Sequence, residues 1–242
     1  AFYNNSMFSR DYYCRHFSYM DTDEIMANCL DKRLSAQHMT HLAKLAEVFC
    51  TLEHGNYRES AISVAKRSLR FQNIKGIHFD DFTPAMGALL PQIHDDIKAI
   101  NPALRIAVVT YADPNQPLAE YVKPFAEYID FFSRWCWRPA LHYWEHHAED
   151  IARLREAVGP AKQIVQGIYI HDFGSDMQNR HAVPMDVFRK SVETICENTS
   201  NGTIDGFIIP QAGWFCMRDK YEHIRFLKDY IDWFDGTTTV RQ

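Results

Sequence analysis

Three apolar stretches of the sequence end in side chains that can exchange protons or bind polar groups. They are GIHFDDF at 76–82, GIYIHDF at 167–173 and GFIIPQA at 206–212, and the first of them ends in Asp80 and Asp81. Two adjacent carboxyl groups share one environment, so the pKa of one can rise while the other stays ionised. The chemistry that such a pair supports is general acid–base catalysis, in which a positioned carboxyl group gives or takes a proton.

Side chains alternate between the two faces of a strand, and this alternation sorts the residues of the first stretch. Ile77 and Phe79 share one face, whereas His78 and Asp80 share the other with a glycine. The large apolar face suits packing under helices, and the small, polar face suits a barrel interior. Asp81 has the phase of Ile77, but the phase rule weakens at a strand end, where this side chain can swing to the mouth. Each stretch therefore predicts a buried strand that delivers polar groups at its carboxyl end, where α/β folds place their sites.

The elements that must position these polar strand ends alternate between strand and helix along the second part of the chain. Strands are predicted at 75–82, 104–112, 129–137, 164–173 and 205–211, and helices at 86–100, 118–128, 141–158, 185–198 and 220–234. Strands that recur with a helix between them are βαβ units, so we expect these five strands to be parallel neighbours in one sheet.

The first seventy residues differ in pattern. A helical stripe predicts a helix at 35–52 that ends at Gly55, a second helix is predicted at 57–71, and one strand at 2–8. Five or six strands are fewer than a barrel needs. The predicted fold is α/β, a (β/α)8 TIM-type barrel in one domain over 1–242. Either its N-terminal strands, within 1–73, are degenerate, or they are missing because the chain begins inside the fold.

Composition excludes several classes of protein. The 242 residues are 46% hydrophobic and 24% charged, which is an ordinary globular composition. A net charge of −5 without a basic stripe argues against nucleic acid as a partner, and no apolar run is long enough to span a membrane. Six scattered cysteines without a CxxC pair indicate buried thiols. Two glycosylation sequons, at Asn198 and Asn201, favour an extracytoplasmic or secreted location only slightly, so the compartment stays open. No oligomeric state is predicted.

The polar tips of the predicted strands combine carboxylates with aromatic rings. The candidate catalytic residues are Asp80, Asp81 and Asp172, and the candidate substrate-binding residues are Tyr111, Asp113, Arg134, Trp135, Trp137, Tyr169, His171, Gln211 and Trp214. Glycoside hydrolysis needs one carboxyl group as proton donor and another as nucleophile or base, with aromatic faces for the sugar ring. The pattern predicts a glycoside hydrolase or a close relative, with a carbohydrate as substrate and without a cofactor or a metal ion.

A resemblance supports this interpretation. The stretch KGIHFDDF resembles the fourth strand of glycoside-hydrolase-like TIM-barrel proteins of bacteria, and IDFFSRWCW, QGIYIHDFG and DGFIIPQAGW resemble their strands six to eight. The resemblance covers about 74–233 and implies a sugar-handling barrel with Asp80 or Asp81 at the site. Chitinase-type barrels are less similar, because Phe82 stands where their catalytic glutamate would be.

Each candidate also has a structural interpretation. The two aspartates can cap the next loop, Asp113 before a proline can be a turn residue, and Asp172 can belong to a local corner. Arg134 has the phase opposite to that of the tryptophans and can form an ion pair. A barrel that binds carbohydrate without turnover is therefore the first alternative function.

A second alternative is a zinc-dependent hydrolase. HYWEH at 142–146 matches the HxxEH motif, in which His142 and His146 bind zinc, Glu145 is the base and Glu222 could be a third ligand. One short match inside a βα repeat is weak support for that chemistry. The expectation is therefore that His142, Glu145 and His146 do not jointly hold a zinc ion.

Overall fold

Five of the strands predicted from the sequence form one curved parallel sheet, and three N-terminal strands, one of them overlapping the strand predicted at 2–8, extend it into a ring. The computed structural model of the chain describes residues 5–9, 13–17, 47–137, 140–172, 181–210 and 217–234, the first two segments by their backbone alone. The strands of the ring are β1 (Asn5–Ser9), β2 (Tyr13–Phe17), β3 (Glu47–Thr51), β4 (Ile74–Phe79), β5 (Arg105–Tyr111), β6 (Phe131–Trp135), β7 (Gln163–Gly167) and β10 (Gly206–Pro210).

The order around the ring is β1-β10-β7-β6-β5-β4-β3-β2. The five strands named from the sequence, β4 to β7 and β10, are parallel neighbours, as predicted. Strands β3 and β2 continue the parallel order, whereas β1 runs antiparallel to both β10 and β2. The chain thus has an α/β fold with a curled parallel sheet, but the ring differs from the predicted (β/α)8 barrel, in which all eight strands are parallel.

Helices follow most of the strands. They are α1 (Tyr57–Ser68), α2 (Pro84–Gly87), α3 (Leu90–Ile100), α4 (Leu118–Tyr121), α5 (Leu141–Glu145), α6 (His147–Val158), α7 (Met185–Ser200) and α8 (Tyr221–Phe234), with 3₁₀ turns at Lys123–Tyr128 and Arg218–Lys220. Three predicted helices are each divided in two. At 86–100 and 118–128 the second piece carries a proline in its first turn, where no amide proton is needed. Among the described residues no helix has the length and apolarity required to cross a bilayer.

The outer face of β4 carries the large apolar residues that the alternation predicted, whereas large rings also fill the inner face of the sheet. On the outer face Phe79 of β4 stacks on Tyr57 of α1, with ring centroids 5.7 Å apart. On the inner face Phe49 of β3 stacks on Phe131 of β6 at 5.5 Å. A Cβ atom at Gly76 would lie 2.4 Å from the Phe49 ring, so β4 carries glycine where this ring fills the interior.

The predicted helix at 35–52 is wrong over its last part, because Glu47–Thr51 is strand β3. Val48, Phe49, Cys50, Thr51 and Leu52 are all buried, since the strand lies between the helices and the barrel interior. A short strand buried on both faces is apolar throughout, and periodicity cannot distinguish it from a buried helical segment. Gly55 ends no helix. It has a φ of +78° in the turn that leads into α1.

The strand predicted at 164–173 is also shorter than expected. Strand β7 ends at Gly167, and His171–Asp172 instead forms a short antiparallel pair, β8, with His181–Ala182, which is β9. The intervening chain keeps one bond to the sheet, from the amide of Ile168 to the carbonyl of Ile208 at 2.9 Å. The stretch GIYIHDF therefore leaves the ring before His171 and Asp172 are reached.

Candidate active site

A cavity of about 540 Å³ opens at the carboxyl ends of β4, β5 and β6. Its lining includes Asp81, Tyr111, Asp113, Gln116, Cys136 and Trp137. This volume is typical of sites for small molecules. Four of the residues that the sequence analysis selected, namely Asp81, Tyr111, Asp113 and Trp137, thus meet in one place.

Asp81 reaches the cavity because the backbone turns sharply after β4. Its φ is +47°, and no other described residue except glycine has a positive φ. Non-glycine residues adopt this conformation at a cost, with aspartate and asparagine among those that tolerate it best. The turn carries Asp81 off the outward phase of Ile77 and Phe79, so its carboxylate accepts a hydrogen bond from the Tyr111 hydroxyl at 2.5 Å. Backbone strain of this kind is often found at functional sites.

The carboxyl group of Asp81 is set up to hold its proton. The Asp81 side chain is exposed at the cavity, but partial loss of its hydration there, followed by the negative charge of Asp80, raises its pKa above the ordinary value, against smaller lowering effects from Tyr111, His54 and His78. Burial, with the neighbouring charges of Tyr169 and Asp81, raises the pKa of Tyr111 far above its ordinary value. Tyr111 therefore stays protonated and donates, and the Asp81 carboxyl group holds its proton to a higher pH than an ordinary aspartate does.

Aromatic rings form the interior wall beside this pair. The Trp137 ring packs edge-on against Tyr111 at 5.9 Å and against Tyr169 at 6.2 Å. Tyr169 in turn contacts Trp135 at 5.1 Å, and both of these residues are buried. Trp137 lines the cavity, whereas Trp135 lies deeper, where its indole nitrogen donates to the Ser133 hydroxyl at 3.1 Å.

Asp113 lies in the loop after β5 and has a turn role as well as a place in the cavity wall. Its Oδ1 atom accepts from the backbone amide of Asn115 at 2.8 Å and from the side-chain amide of the same residue at 3.0 Å. This is the arrangement by which aspartate stabilises a turn.

Arg134 lies on the helix side of β6 and not on the cavity side. Its guanidinium donates to both carboxylate oxygens of Asp150 on α6, each at 2.8 Å. A third bond runs from the same group to the backbone carbonyl of Tyr111 at 2.5 Å. The ion pair that its phase suggested is therefore present.

The remaining candidates lie elsewhere. His171 and Asp172 belong to the β8–β9 pair, and neither lines the cavity. His171 is buried. Gln211 and Trp214 fall outside the described residues. Asp80 is half-buried, and its charge adds to the effect of burial in raising the pKa of Tyr169.

Several residues of the site were not predicted from the sequence. Gln116 and Cys136 line the cavity, and His54 and Tyr57 bond to each other at 2.8 Å close to Asp81. Gln116 follows the polar run DPNQ directly after β5, and that position at a strand end could have identified it. His54 and Tyr57 follow a strand that was predicted as a helix, so their position at a carboxyl end was hidden.

The three donors of HYWEH lie close together on the surface. One ligand atom of each of His142, Glu145 and His146 lies within 4.8 Å of the others. The motif does not lie on one continuous helix, because α5 ends at Glu145 and α6 begins at His147. Glu222 is not part of the group and lies 3.9 Å from Arg189.

The fold and the cavity at its strand ends define an α/β barrel-type protein, and comparison with solved structures agrees. A proposed alpha-L-fucosidase from Bacteroides thetaiotaomicron VPI-5482 matches 91% of this chain over 74% of its own length, with a TM-score of 0.58 and 10% identity. A family 18 chitinase from Crocus vernus matches 97% of the chain over 88% of its own, with a TM-score of 0.55 and 10% identity. No family model and no curated protein matches the sequence.

At this identity the likeness establishes the fold alone, which the chain shares with these two proteins. Phe82 shows how far the chain is from chitinase chemistry. It is buried between Phe79 and Phe125, with ring centroids at 6.2 and 6.0 Å, and has no acidic group. Position 82 therefore cannot supply a catalytic acid of the chitinase type.

Proposed function

We propose that the chain is a glycoside hydrolase in which Asp81 is the general acid. The observation that carries the proposal is a carboxyl group with a raised pKa at the wall of a cavity of about 540 Å³. A general acid must still hold its proton at the working pH, and burial beside a second carboxylate is how proteins achieve this. Asp81 would protonate the glycosidic oxygen as the bond to the sugar breaks.

A second carboxylate completes the scheme, as nucleophile or as the base that activates water. Asp113 is our candidate, because it lines the same cavity as Asp81. Asp80 contributes the charge that keeps Asp81 protonated, and ionised carboxylates here stabilise the oxocarbenium-like transition state. Asp172 is the weaker candidate, since it lies on β8 outside the cavity lining.

The aromatic wall supports a carbohydrate as the substrate. Trp137 and Tyr111 line the cavity, and Tyr169 supports the Trp137 ring from behind. Aromatic faces pack against the apolar faces of sugar rings, while their polar atoms remain available for hydroxyl groups. Gln116 adds an amide that can donate and accept. The scheme uses no cofactor.

A barrel that binds carbohydrate without turnover is the second candidate. The turn geometry of Asp113 favours it, because two hydrogen bonds from Asn115 occupy one oxygen of the only other carboxylate named in the described cavity lining. If that bonding fixes the carboxylate away from the substrate, Asp81 has no opposite group and hydrolysis does not proceed.

Hydrolysis of a panel of aryl glycosides and oligosaccharides by the intact protein separates the two candidates. We expect one glycan to be cleaved, and Asp81→Asn to lower that rate about 10²–10⁴-fold while binding is kept. Asp95→Asn is the matched control, since Asp95 is an exposed aspartate on α3. Tight binding of a glycan without cleavage would favour the binding barrel, and a fully active Asp81→Asn variant would exclude Asp81 as the acid.

A further inference from the structure

His142, Glu145 and His146 form a cluster of donors on the protein surface, outside the candidate active-site cavity. All three side chains are exposed, and one ligand atom of each lies within 4.8 Å of the other two. The imidazole rings of the two histidines have centroids 4.5 Å apart. We propose that these three residues form a binding site for a divalent transition-metal ion, with Zn²⁺ as the ion that suits it best.

The donor set suits zinc chemically. Two imidazole nitrogens and one carboxylate oxygen are ligands that Zn²⁺ takes at about 2.0–2.2 Å, usually in a tetrahedron. In such a tetrahedron two ligand atoms lie about 3.4 Å apart. The ligand atoms, which lie within 4.8 Å of one another, must therefore approach by up to about 1.4 Å. Rotation of the exposed side chains achieves this without moving the backbone. The fourth position would be taken by water.

A neighbouring carboxylate orients one of the ligands. Glu149, one turn along α6, has its Oε1 atom 3.3 Å from Nδ1 of His146. When Nδ1 carries the proton and donates it to Glu149, the lone pair of Nε2 is left for a metal ion. A histidine held between a carboxylate and a metal is the usual outer arrangement of zinc sites, and it strengthens the ligand.

This proposal reverses the expectation that the three residues do not share a zinc ion. That expectation rested on the weakness of a short sequence motif. In the structure the ligand atoms of the three residues are close together, which is independent support for a shared ion. It does not restore the peptidase interpretation, in which both histidines lie on one helix. His146 lies at the junction of α5 and α6, with φ −110° and ψ 15°. The inferred function is metal binding at a surface groove of about 710 Å³, whose lining includes both histidines.

Calorimetric titration of the intact, tag-free protein with ZnSO₄ tests the proposal. We expect saturation at one equivalent, and loss of that binding in His142→Ala and in His146→Ala. Glu149→Gln should weaken the affinity about 10–100-fold, as other outer-sphere changes do. His94→Ala is the matched control, because His94 also has a carboxylate partner, Asp95 at 3.2 Å, but is not a member of the described cluster.

Because the four substituted side chains lie at the surface, we expect all variants to fold, and circular dichroism checks this. Saturable binding that disappears in both ligand variants and persists in His94→Ala would establish the site. The proposal is wrong if the protein takes up no zinc at one equivalent. It is equally wrong if His142→Ala/His146→Ala binds as tightly as the parent protein, which would place the ion elsewhere.

Discussion

Arg134 and Asp150 form a buried ion pair that also holds the backbone of Tyr111. Both residues are less than a tenth exposed, at 4% and 6%, and two parallel bonds of 2.8 Å join them. The same guanidinium donates to the Tyr111 carbonyl, and the Tyr111 hydroxyl donates to Asp81. A continuous series of contacts therefore runs from helix α6, through β6 and β5, to the carboxyl group at the cavity.

Replacing Arg134 tests whether this pair positions the site or only stabilises the fold. Arg134→Met leaves the buried Asp150 carboxylate with only the longer contacts of 3.5 Å to Arg153 and Tyr143, which should cost up to about 3–5 kcal/mol in the free energy of unfolding. Arg134→Met/Asp150→Leu should recover most of that stability, because an apolar pair of similar size replaces a buried ion pair well. Urea denaturation measures both effects.

The turnover of the double variant is the decisive measurement. With the Tyr111 carbonyl no longer held, we expect the rate constant kcat of the proposed hydrolysis to stay low although stability returns. Full activity in a stable double variant would show that Arg134 has a structural role alone.

Much of this framework could be predicted from the sequence, and the failures have two physical causes, burial on both faces and tertiary pairing. Strands β4 to β7 and β10 alternate with helices, and each is bounded by clear breaks, so their parallel order followed. Strand β3 is buried on both faces and lacks any alternation, and it was taken for the end of a helix. The orientation of β1 could not follow from its own residues, because pairing with β10 and β2 decides it.

Tyr111→Phe removes the hydroxyl that donates to Asp81 and leaves the ring in place. That hydrogen bond lowers the pKa of Asp81, so its loss should raise this pKa further. A general acid works in its protonated form, and activity falls as the pH rises past its pKa. The falling limb of the pH–rate profile should therefore move to higher pH in the variant. An unchanged limb, or a shift to lower pH, would contradict the assignment of Asp81 as the acid.

Asp81 should also cost the folded protein stability at neutral pH. Its pKa is raised in the folded state, so the unfolded chain releases this proton at a lower pH than the folded chain does. Stability therefore falls as the pH rises from the unfolded pKa to the folded pKa. We expect Asp81→Asn to be more stable than the parent protein at about pH 7 and similar to it below the carboxyl range, near about pH 3.

The backbone at position 81 provides the control for that prediction. Asparagine tolerates the φ of +47°, whereas alanine there costs about 1–2 kcal/mol. Asp81→Ala should therefore be less stable than Asp81→Asn at every pH. Urea denaturation across the pH range measures both variants, and a parent protein that is more stable than Asp81→Asn at neutral pH would contradict the raised pKa.

The cavity shows which parts of a site a sequence can predict. Alternation placed Trp137 on the face opposite to Arg134, and the strand-end rule placed Tyr111 at the rim, because both follow from position along a strand. Asp81 reaches the cavity only through the positive φ that follows β4, which reverses its strand phase. His171 and Asp172 were expected at the same rim, but β7 ends at Gly167 and the chain turns into the β8–β9 pair. Such departures at strand ends depend on tertiary pairing.

Gly167 allows Trp135 to fill the barrel interior, and a methyl group there should displace the ring. A Cβ atom at this position would lie 2.1 Å from two atoms of the Trp135 indole. The ring cannot move freely, since its nitrogen bonds to Ser133 and its face lies against Tyr169. We expect Gly167→Ala to cost about 1–3 kcal/mol, as overpacked cores do. In Gly167→Ala/Trp135→Phe the smaller ring should make the combined loss less than the sum of the two single losses. Additive losses would show that the indole is not the obstacle.

His78 should make the protein sensitive to acid. It is fully buried inside the barrel, with Nδ1 3.1 Å from the Thr51 hydroxyl, and burial lowers its pKa to about 3 from 6.5. Between about pH 3 and pH 6.5, His78 is protonated in the unfolded chain and neutral in the folded chain. This contribution to stability is complete above about pH 6.5 and is lost as the pH falls toward about 3, by at most about 1.4 kcal/mol per pH unit.

His78→Asn keeps a polar partner for Thr51 without titrating, so its free energy of unfolding should fall less steeply in acid. Burial also lowers the pKa of His147, so some of the slope should remain in the variant. Urea denaturation at a series of pH values compares the two slopes, with His94→Gln as a control outside the barrel. An identical acid slope in His78→Asn and the parent protein would show that His78 does not carry this sensitivity.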